Sequence, residues 1–422
     1  MLRPIVIILL IAPLCARNIV VFQAQSYGLK PDQRYITYAF SDIVRKDLML
    51  FSTLNENPDH ETNRSFDAVK RNVQHLAAKY NADVLVNTSI SPFREDFVLR
   101  YFIYDRKNPY QWKEKTRSSR QEKFNKVITG FLEELYSTAH ASRENTIPLD
   151  RFLPEEAYTP HIGYYQDMPV VAERDRLSSR YYANISFSTY RKFYEFYQEN
   201  FLFNLDYCLA LLENGEQKTA ETLIASIARP LGEKHHYVKC LEAIHHYYRY
   251  RERVSQDDLT ASIASIAQAI RVRNNFYTYH FWLSKLYFLQ EDFQNAELTL
   301  EKVVELNPYH VPSYRGLIAI LKDRGATNDN DLLIRYGSRV IEVEPDNNEM
   351  HDLVTGTYEL MSSWSNAYIS YARYNESIAR QLRRVTSGGF TNARAYNNLS
   401  IRSKAVSKKT AYARAMFLQT KR

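Results

Sequence analysis

The sequence predicts an α+β protein with two domains, a small N-terminal α/β domain followed by an array of helical hairpins. Short β-branched runs alternate with helical patterns up to about residue 140, whereas helical spacing alone continues from Tyr181 onward. One stretch, Tyr277–Pro308, contains two amphipathic helices joined by a polar turn. Gly accounts for only 11 of 422 residues, which disfavours Gly-rich phosphate loops and turn-dense β folds.

Residues 1–16 have the pattern of a cleaved secretory signal, with a basic residue, a short apolar run and small residues at the end. The apolar run, Ile5–Ile11, is too short to span a bilayer. Bacterial lipidation at Cys15 is an alternative, although Leu14 stands where a lipidation motif has a small residue. We therefore expect an exported protein, soluble or associated with a membrane.

Two cysteines follow the signal, Cys208 and Cys240. They fall in successive helical hairpins, where equivalent positions lie about 10 Å apart, too far for an undistorted disulfide. Export without a disulfide framework indicates a bacterial periplasm rather than a small extracellular scaffold.

Residues 17–140 predict an α/β domain with the element order βααββα. The predicted elements are, in chain order, a strand at Ile19–Phe22, helices at Ile36–Leu54 and Phe66–Tyr80, strands at Asp83–Ile90 and Phe97–Tyr104, and a helix at Phe124–Tyr136. The turn Ser91–Asp96 joins the last two strands into an antiparallel hairpin.

A helix that ends in an Ala-Asp step into a strand, His75–Val86, resembles the N-terminal α/β domain of TolB-like and CsgG/FlgO-like exported bacterial proteins. The hairpin that ends at Tyr104–Asp105, with Trp112 shortly after it, adds to the resemblance. In these families the domain is an assembly or interaction module, so the resemblance implies that role and no catalytic residues.

Residues 141–180 predict a linker, because four prolines spaced through it would end any helix repeatedly. Residues 181–385 predict about five helical hairpins after an aromatic N-terminal cap helix. The hairpins fall at Phe201–Leu231, Lys234–Asn275, Tyr277–Pro308, Val311–Pro345 and Asn348–Tyr374. Such a hairpin cannot bury its apolar face alone, which is why repeats are expected on both sides of each one.

The hairpin Tyr277–Pro308 resembles the tetratricopeptide repeat (TPR), and the array is therefore predicted to be an all-α TPR solenoid. Counting from Tyr277, apolar and small residues fall on the family's consensus places, including Ala296 where the two helices cross closely. His280 and Ser284 replace the usual Trp and Gly.

Residues 386–422 predict a basic tail. No acidic residue follows Glu376, and the basic residues from Arg380 to Arg422 give a charge of +11. The whole chain carries +7, so residues 1–376 carry 7 − 11 = −4. A solvated, disordered end is one interpretation, and an electrostatic tether to anionic membrane headgroups or cell-wall polymer is the other.

One predicted helix of the array contains residue types that bind metals, namely His235, His236, Cys240, His245 and His246. Only His236 and Cys240 are one turn apart on a common face, and a metal site needs ligands that converge on one point. Partly buried histidines between repeats are the alternative interpretation. We expect no metal and no cofactor.

The TPR resemblance implies a groove that takes peptides or helices through side chains of the first helix of each hairpin. Carried onto this sequence, the candidate partner-binding residues are Leu202, Leu205, Leu209, Leu212, Thr278, Phe281, Lys285, Phe288, Arg315, Lys322, Glu349, Asp352 and Glu359. The alternative for the four leucines is packing on the preceding cap helix.

The sequence thus predicts a non-enzymatic exported scaffold that binds protein partners in a cell-envelope complex, self-assembly included. A structural subunit of a periplasmic flagellar collar or secretion machine is a more specific version, and an envelope-tethered binding protein is an alternative. An envelope hydrolase is disfavoured, because no nucleophile elbow, paired-carboxylate motif or phosphate loop is found. Nucleic acid is not expected as a partner of an exported chain.

Overall fold

The structure is a computed structural model that describes residues 18–22, 24–30, 33–51, 55–57, 66–109, 113–120, 123–139, 187–387 and 393–420. The predicted signal segment with Cys15, the proline-rich segment 141–180 and Trp112 lie outside these residues. No helix within the described ranges combines the length and the apolar character needed to cross a bilayer.

The N-terminal part contains a six-stranded mixed sheet with the order β3-β1-β4-β5-β6, and β2 also pairs with β4. The strands are β1 Asn18–Val21, β2 Gln25–Ser26, β3 Asn55–Asn57, β4 Val84–Phe93, β5 Asp96–Asp105 and β6 Lys113–Arg120. The pairs of β1 with β3 and β4 and of β2 with β4 are parallel, whereas β4, β5 and β6 form an antiparallel meander. The helices of this part are α1 Tyr35–Phe51, α2 Phe66–Arg71, α3 Val73–Lys79 and α4 Phe124–Ala139.

The observed element order, ββαβααβββα, differs from the predicted βααββα by three additional strands, β2, β3 and β6, and by one additional helix. The first two have only two and three residues, too few to show a period of two. The third, KEKTRSSR, lies at the sheet edge and has no apolar side chain. Charged edge strands are common because they resist pairing with other chains, and they give no hydrophobic pattern to detect.

The predicted helix Phe66–Tyr80 is in fact two helices, α2 and α3, which meet at Asn72. The Asn72 backbone N–H lies 3.3 Å from the Ala68 carbonyl and 3.2 Å from the Val69 carbonyl, and its side-chain amide donates to Ala68 at 3.0 Å. A short polar side chain that bonds to the preceding turn in this way competes with the regular helical hydrogen bonds.

The helical array follows at the predicted places. In described residues 187–387 it consists of a cap helix and five helical hairpins. Its helices are α5 Phe187–Tyr197, α6 Phe201–Glu213, α7 Gln217–Leu231, α8 His236–Arg253, α9 Gln256–Val272, α10 Tyr277–Leu289, α11 Phe293–Leu306, α12 Val311–Arg324, α13 Asn330–Val343, α14 Asn348–Leu360 and α15 Trp364–Ser387. After α12 the chain passes through a left-handed Gly325 with φ 62° and a 3₁₀ turn, Thr327–Asp329.

The chain forms two compact units, Met1–Leu286 and Tyr287–Arg422, and α10 crosses their boundary. In the first unit the sheet, helices α1 and α4 and the array up to α10 share one buried core. The sequence does not predict this shared core. The C-terminal half of α1 is joined to α6 and α8 by hydrogen bonds.

Lys46 of α1 is buried among carboxylates from two parts of the first unit. Its ammonium group donates to Asp42 of the same helix at 2.9 Å, to Asp206 of α6 at 2.7 Å and to the Leu202 carbonyl at 3.0 Å. Burial by itself lowers the pKa of Lys46, but the two carboxylates outweigh burial and raise it. All three hydrogens of the ammonium therefore have an acceptor, so the charge is fully paired.

The last carbonyls of α1 accept hydrogen bonds from the helical array. Arg273 donates to the Met49 carbonyl and, at 3.2 Å, to the Leu48 carbonyl. The Nε2 atoms of His235 and His236 donate to the Leu50 carbonyl at 3.1 and 3.2 Å. The final four carbonyls of a helix have no partner within the helix and carry partial negative charge. The array therefore supplies a C-cap for α1, which fixes the first hairpins on the sheet domain.

The second unit ends with a helix, α16, which spans Ala393–Thr420. The disordered end that the composition favours is therefore wrong for these residues. Within the unit, α16 packs along α15 through buried Val406 and Ala413. Polar contacts add to this packing, since Arg402 donates to the Tyr374 hydroxyl at 2.7 Å and to Asp352 at 2.9 Å.

Two helical glycines of the second unit give a matched test of close helix packing. A Cβ on Gly337 of α13 would lie 2.7 Å from Cγ2 of Val354, whereas a Cβ on Gly356 of α14 would meet nothing within 4 Å. We expect Gly337→Ala to destabilise the unit, because overpacking costs about 1–3 kcal/mol. We expect Gly356→Ala to stabilise it by about 0.5–1 kcal/mol. Urea unfolding measures the free energy of unfolding of both variants. Equal changes in the two variants would contradict the close packing at Gly337.

Candidate partner-binding site

In the first unit, half-buried aromatic rings lie beside two cations on α8 and α10, the first helices of two successive hairpins. Lys285 is half-buried and Arg251 is exposed. We call this group the aromatic–cation cluster. It consists of Tyr247, Tyr248 and Arg251 of α8 and Phe281, Trp282 and Lys285 of α10.

Ring contacts hold the cluster together. The Trp282 ring meets the Tyr247 ring edge to face, with the centroids 5.4 Å apart, and Tyr247 meets Tyr248 in the same way at 5.1 Å. Lys285 Nζ lies 4.5 Å from the Trp282 ring centroid and 4.7 Å from that of Phe281. The Arg251 guanidinium lies 5.9 and 5.8 Å from the centroids of Tyr247 and Tyr248. Both cations are within the distance of a cation–π contact.

Partial burial gives the cluster its electrostatic character. It lowers the pKa of Lys285, and the carboxylate of Glu213 opposes this only in part. Burial also raises the pKa of Tyr248 to about 12, so its hydroxyl keeps its proton and can donate a hydrogen bond. Lys285 is a cation that has already lost part of its hydration, and an incoming carboxylate would pay less desolvation to pair with it.

The predicted candidates of the first unit differ in accessibility. Leu202, Leu205 and Leu212 are at most 3% exposed, so the groove assignment is wrong for them. They pack in the core that α6 shares with the sheet domain and α5, and only Leu209 is half-buried. Thr278, Phe281 and Lys285 are also half-buried, and the last two belong to the aromatic–cation cluster.

The candidates of the second unit are mostly charged. Arg315 is exposed and donates to Glu344 at 2.8 Å, and Asp352 accepts from Arg402. Lys322 and Glu349 are exposed, and Glu359 is half-buried.

Phe288 is the apolar candidate of the second unit. It lines a pocket together with Phe293, Ala319 and Ile320, and the lining also includes the charged residues Glu297, Asp323 and Arg324. Such a mixed lining suits one apolar side chain of a partner.

The adjacent histidines bind protein groups rather than forming a metal site. In His235, Nε2 donates to the Leu50 carbonyl and Nδ1 accepts from the Tyr237 N–H at 3.2 Å. In His236, Nδ1 lies 2.7 Å from the Tyr279 hydroxyl. Burial lowers the pKa of His235 to about 4 and that of His236 to about 2, so both rings are neutral at pH 7. Each ring nitrogen of this pair is thus occupied.

Ionisable groups of the α/β domain meet where β5, β6 and α4 pack. The Tyr101 hydroxyl donates to Glu134 at 2.6 Å and accepts from Arg117 at 3.0 Å, and Lys115 pairs with Glu134 at 2.8 Å. Burial and Glu134 raise the pKa of Tyr101 to about 12. Burial raises the pKa of Glu134, but bonds from Lys115 and Tyr101 outweigh burial and lower it. A protonated phenol and an ionised carboxylate do not titrate near pH 7, so the group acts in packing rather than in acid–base chemistry.

Comparison with known proteins gives likenesses to solved structures alone. No protein-family model and no curated protein matches the sequence. The protein is similar to MamA, with 13% identity over 41% of this chain and 95% of MamA, at a TM-score of 0.32. It is similar to YrrB, described as a TPR protein with an unusual peptide-binding site. The identity is 15% over 46% of this chain and 93% of YrrB, and the TM-score is 0.30. It is also similar to PilF of Pseudomonas aeruginosa, with 13% identity over 53% of this chain and 91% of PilF, at a TM-score of 0.34. Because these TM-scores are low, the evidence for a TPR-like array is the series of helical hairpins in the structure itself.

Sequence reasoning missed four of the six residues of the aromatic–cation cluster, namely Trp282 of α10 and the three residues of α8. Tyr247, Tyr248 and Arg251 lie in the last two turns of α8, in the run HHYYRYRER. Three tyrosines and three arginines there exceed what one buried helix face can accommodate. That density is the signal that would have found them.

Proposed function

We propose that this protein is a non-catalytic scaffold that binds a partner protein through the aromatic–cation cluster. The observation that carries the proposal is the half-exposed Trp282, which packs against Tyr247 and supports Lys285 on its ring face. Trp, Tyr and Arg are the residues most enriched at energetically important positions of protein interfaces. Rigid rings beside cations provide both apolar contact area and charge recognition.

The partner that fits the cluster presents an acidic side chain next to an apolar or aromatic one. The carboxylate would pair with Lys285 or Arg251, and the apolar group would cover the rings of Phe281 and Trp282. Exposed cations on this surface also favour acidic partners during encounter. The residue pattern of segment 1–16 adds the proposal that this binding takes place in a bacterial cell envelope, within a larger assembly.

The test compares full-length variants after a partner has been captured on the tagged wild-type chain and identified. Trp282→Ala is expected to weaken binding of that partner at least about 30-fold, which is the 2 kcal/mol typical of a central aromatic anchor. Lys285→Glu should also weaken the binding of an acidic partner, because it replaces an attraction between opposite charges by a repulsion between like charges. Titration calorimetry measures the dissociation constants.

Phe196→Ala is the matched control, because Phe196 of α5 is an aromatic residue that is 79% exposed and lies outside the cluster. Its binding should stay close to that of the wild type. Thermal unfolding of each variant separates loss of binding from loss of the fold. If folded Trp282→Ala and Lys285→Glu both bound every partner as the wild type does, the cluster would not be the binding site.

A further inference from the structure

The outward side of α16 carries one sign of charge. Arg394, Lys404, Lys408 and Arg414 are exposed along the helix, and no acidic residue occurs between Ser377 and the end of the sequence. Arg394 and Arg414 are 20 residues apart, which corresponds to about 30 Å along a helix. The charge is therefore spread along the length of the helix rather than gathered at one point.

The remaining basic residues of α16 are used inside the second unit. Arg402 binds Asp352 and Tyr374, and Lys409 lies 5.7 Å from the Tyr371 ring centroid. By contrast, the four exposed cations form no ion pair with the described residues of the chain. The helix thus has an inner side that holds it to α15 and an outer side whose charge is left for solvent or a partner.

Apolar side chains accompany these outer charges. Ile401 is 68% exposed and Leu418 is 52% exposed. Ile401, Lys404 and Lys408 follow at intervals of three and four residues, which places them on the same helix face. Tyr412 continues this row and is 55% exposed, although its ring packs edge to face with that of Trp364, with the centroids 5.6 Å apart.

A terminal helix that only keeps an array soluble needs a polar outer face, and soluble surfaces ordinarily mix both signs of charge and carry few large aliphatic residues. The outer face of α16 departs from this on both counts. Basic residues interspersed with aliphatic ones on one helix face are typical of helices that lie at the surface of anionic membranes.

We propose that α16 binds the surface of an anionic lipid bilayer, with its exposed basic residues at the headgroups and Ile401 and Leu418 at the boundary of the acyl region. An acidic protein is the less favoured partner, because cations spread over about 30 Å of a helix match an extended anionic surface better than a single acidic side chain. This binding is independent of the aromatic–cation cluster, which lies in the other unit.

The charge reversal Lys404→Glu/Lys408→Glu tests this in the full-length chain. Each basic residue close to an anionic bilayer contributes about fivefold to affinity, so the loss of two should weaken binding at least about 25-fold. Sedimentation with vesicles of phosphatidylglycerol and phosphatidylcholine measures the bound fraction. Vesicles of phosphatidylcholine alone should bind little protein, and added salt should release it from the anionic vesicles.

The control reversal, Lys218→Glu/Lys234→Glu, changes the net charge of the chain by the same amount at two exposed lysines of the first unit. It should bind anionic vesicles like the wild type, and circular dichroism confirms that both variants are folded. Equal loss in both variants would show a general charge effect and overturn the proposal. Binding to soluble polyglutamate without binding to anionic vesicles would also overturn it and indicate an acidic protein as the partner.

Discussion

Lys46→Ala is expected to cost about 3–5 kcal/mol of the free energy of unfolding of the first unit, the range measured when one partner of a buried ion pair is removed. The Asp42 side chain is fully buried and that of Asp206 is only 10% exposed, so both carboxylates would lose their cation without gaining water. Because Asp206 belongs to α6, the same substitution also weakens the attachment of the first hairpin to α1. Urea unfolding, followed by circular dichroism, measures the loss.

Lys239→Ala is the matched control for this experiment. Lys239 also forms a close pair, with Glu242 at 2.7 Å, but both side chains are partly exposed and lie on one helix. Pairs of this kind contribute about 0.2–1 kcal/mol, so the control should lose at most that amount. If the two variants lost the same small amount, Lys46 would not be the buried anchor that the structure shows.

The first unit is expected to lose stability as the pH falls below about 6.5, the ordinary pKa of histidine. The pKa values of His235 and His236 are lowered to about 4 and about 2, first because the rings are buried and then because the Arg273 cation adds to the effect. The native state therefore binds fewer protons than the unfolded state below pH 6.5. The stability is fully present above that pH and is lost as the pH falls toward 4.

The magnitude of this loss follows from proton linkage. Each such histidine contributes a slope of up to about 1.4 kcal/mol per pH unit, or about 2.7 for both together. Below about pH 4, His235 is protonated in both states and only His236 continues to contribute. The charged group that acts on both rings is Arg273, and Tyr237 and Tyr279 are hydrogen-bonded to them. Urea unfolding at a series of pH values measures the slope.

The variant His235→Gln/His236→Gln isolates the two histidines from other acid effects. The Gln side-chain amide can donate to the Leu50 carbonyl in place of Nε2 but does not titrate. The dependence of stability on pH between 6.5 and 4 should therefore become much flatter. His75→Gln, at an exposed histidine of α3, should leave the dependence of stability on pH as it is in the wild type. A double variant with the slope of the wild type would assign the acid sensitivity to other groups.

The helical hairpins could be predicted because their signals are local. The apolar spacing of α10 and α11, the small Ala296 at their crossing and Pro308 after them all lie within one stretch. Capping is local as well, since the side chains of Asn200, Asp292 and Asn347 accept hydrogen bonds from backbone N–H groups three residues ahead.

The candidate site was predicted only in part because its contacts lie far apart in the sequence. Phe281 and Lys285 follow from the position of α10 in its repeat, but Tyr247 reaches Trp282 from the preceding hairpin. The helix α16 was missed for a related reason. Its fully buried apolar contacts are few, and its polar contacts, such as Asn375 with Thr410 at 2.8 Å, have no periodic pattern.

The sequence by itself determined where the hairpins between residues 201 and 374 lie along the chain, because hydrophobic period, caps and turn residues act over a few residues. Only the tertiary structure decided that the sheet domain and the first hairpins form one unit. Lys46 and Asp206 are 160 positions apart, and charged residues of this kind are ordinarily exposed. Their burial depends on which surfaces meet, and the hydrophobic pattern of neither segment contains that information.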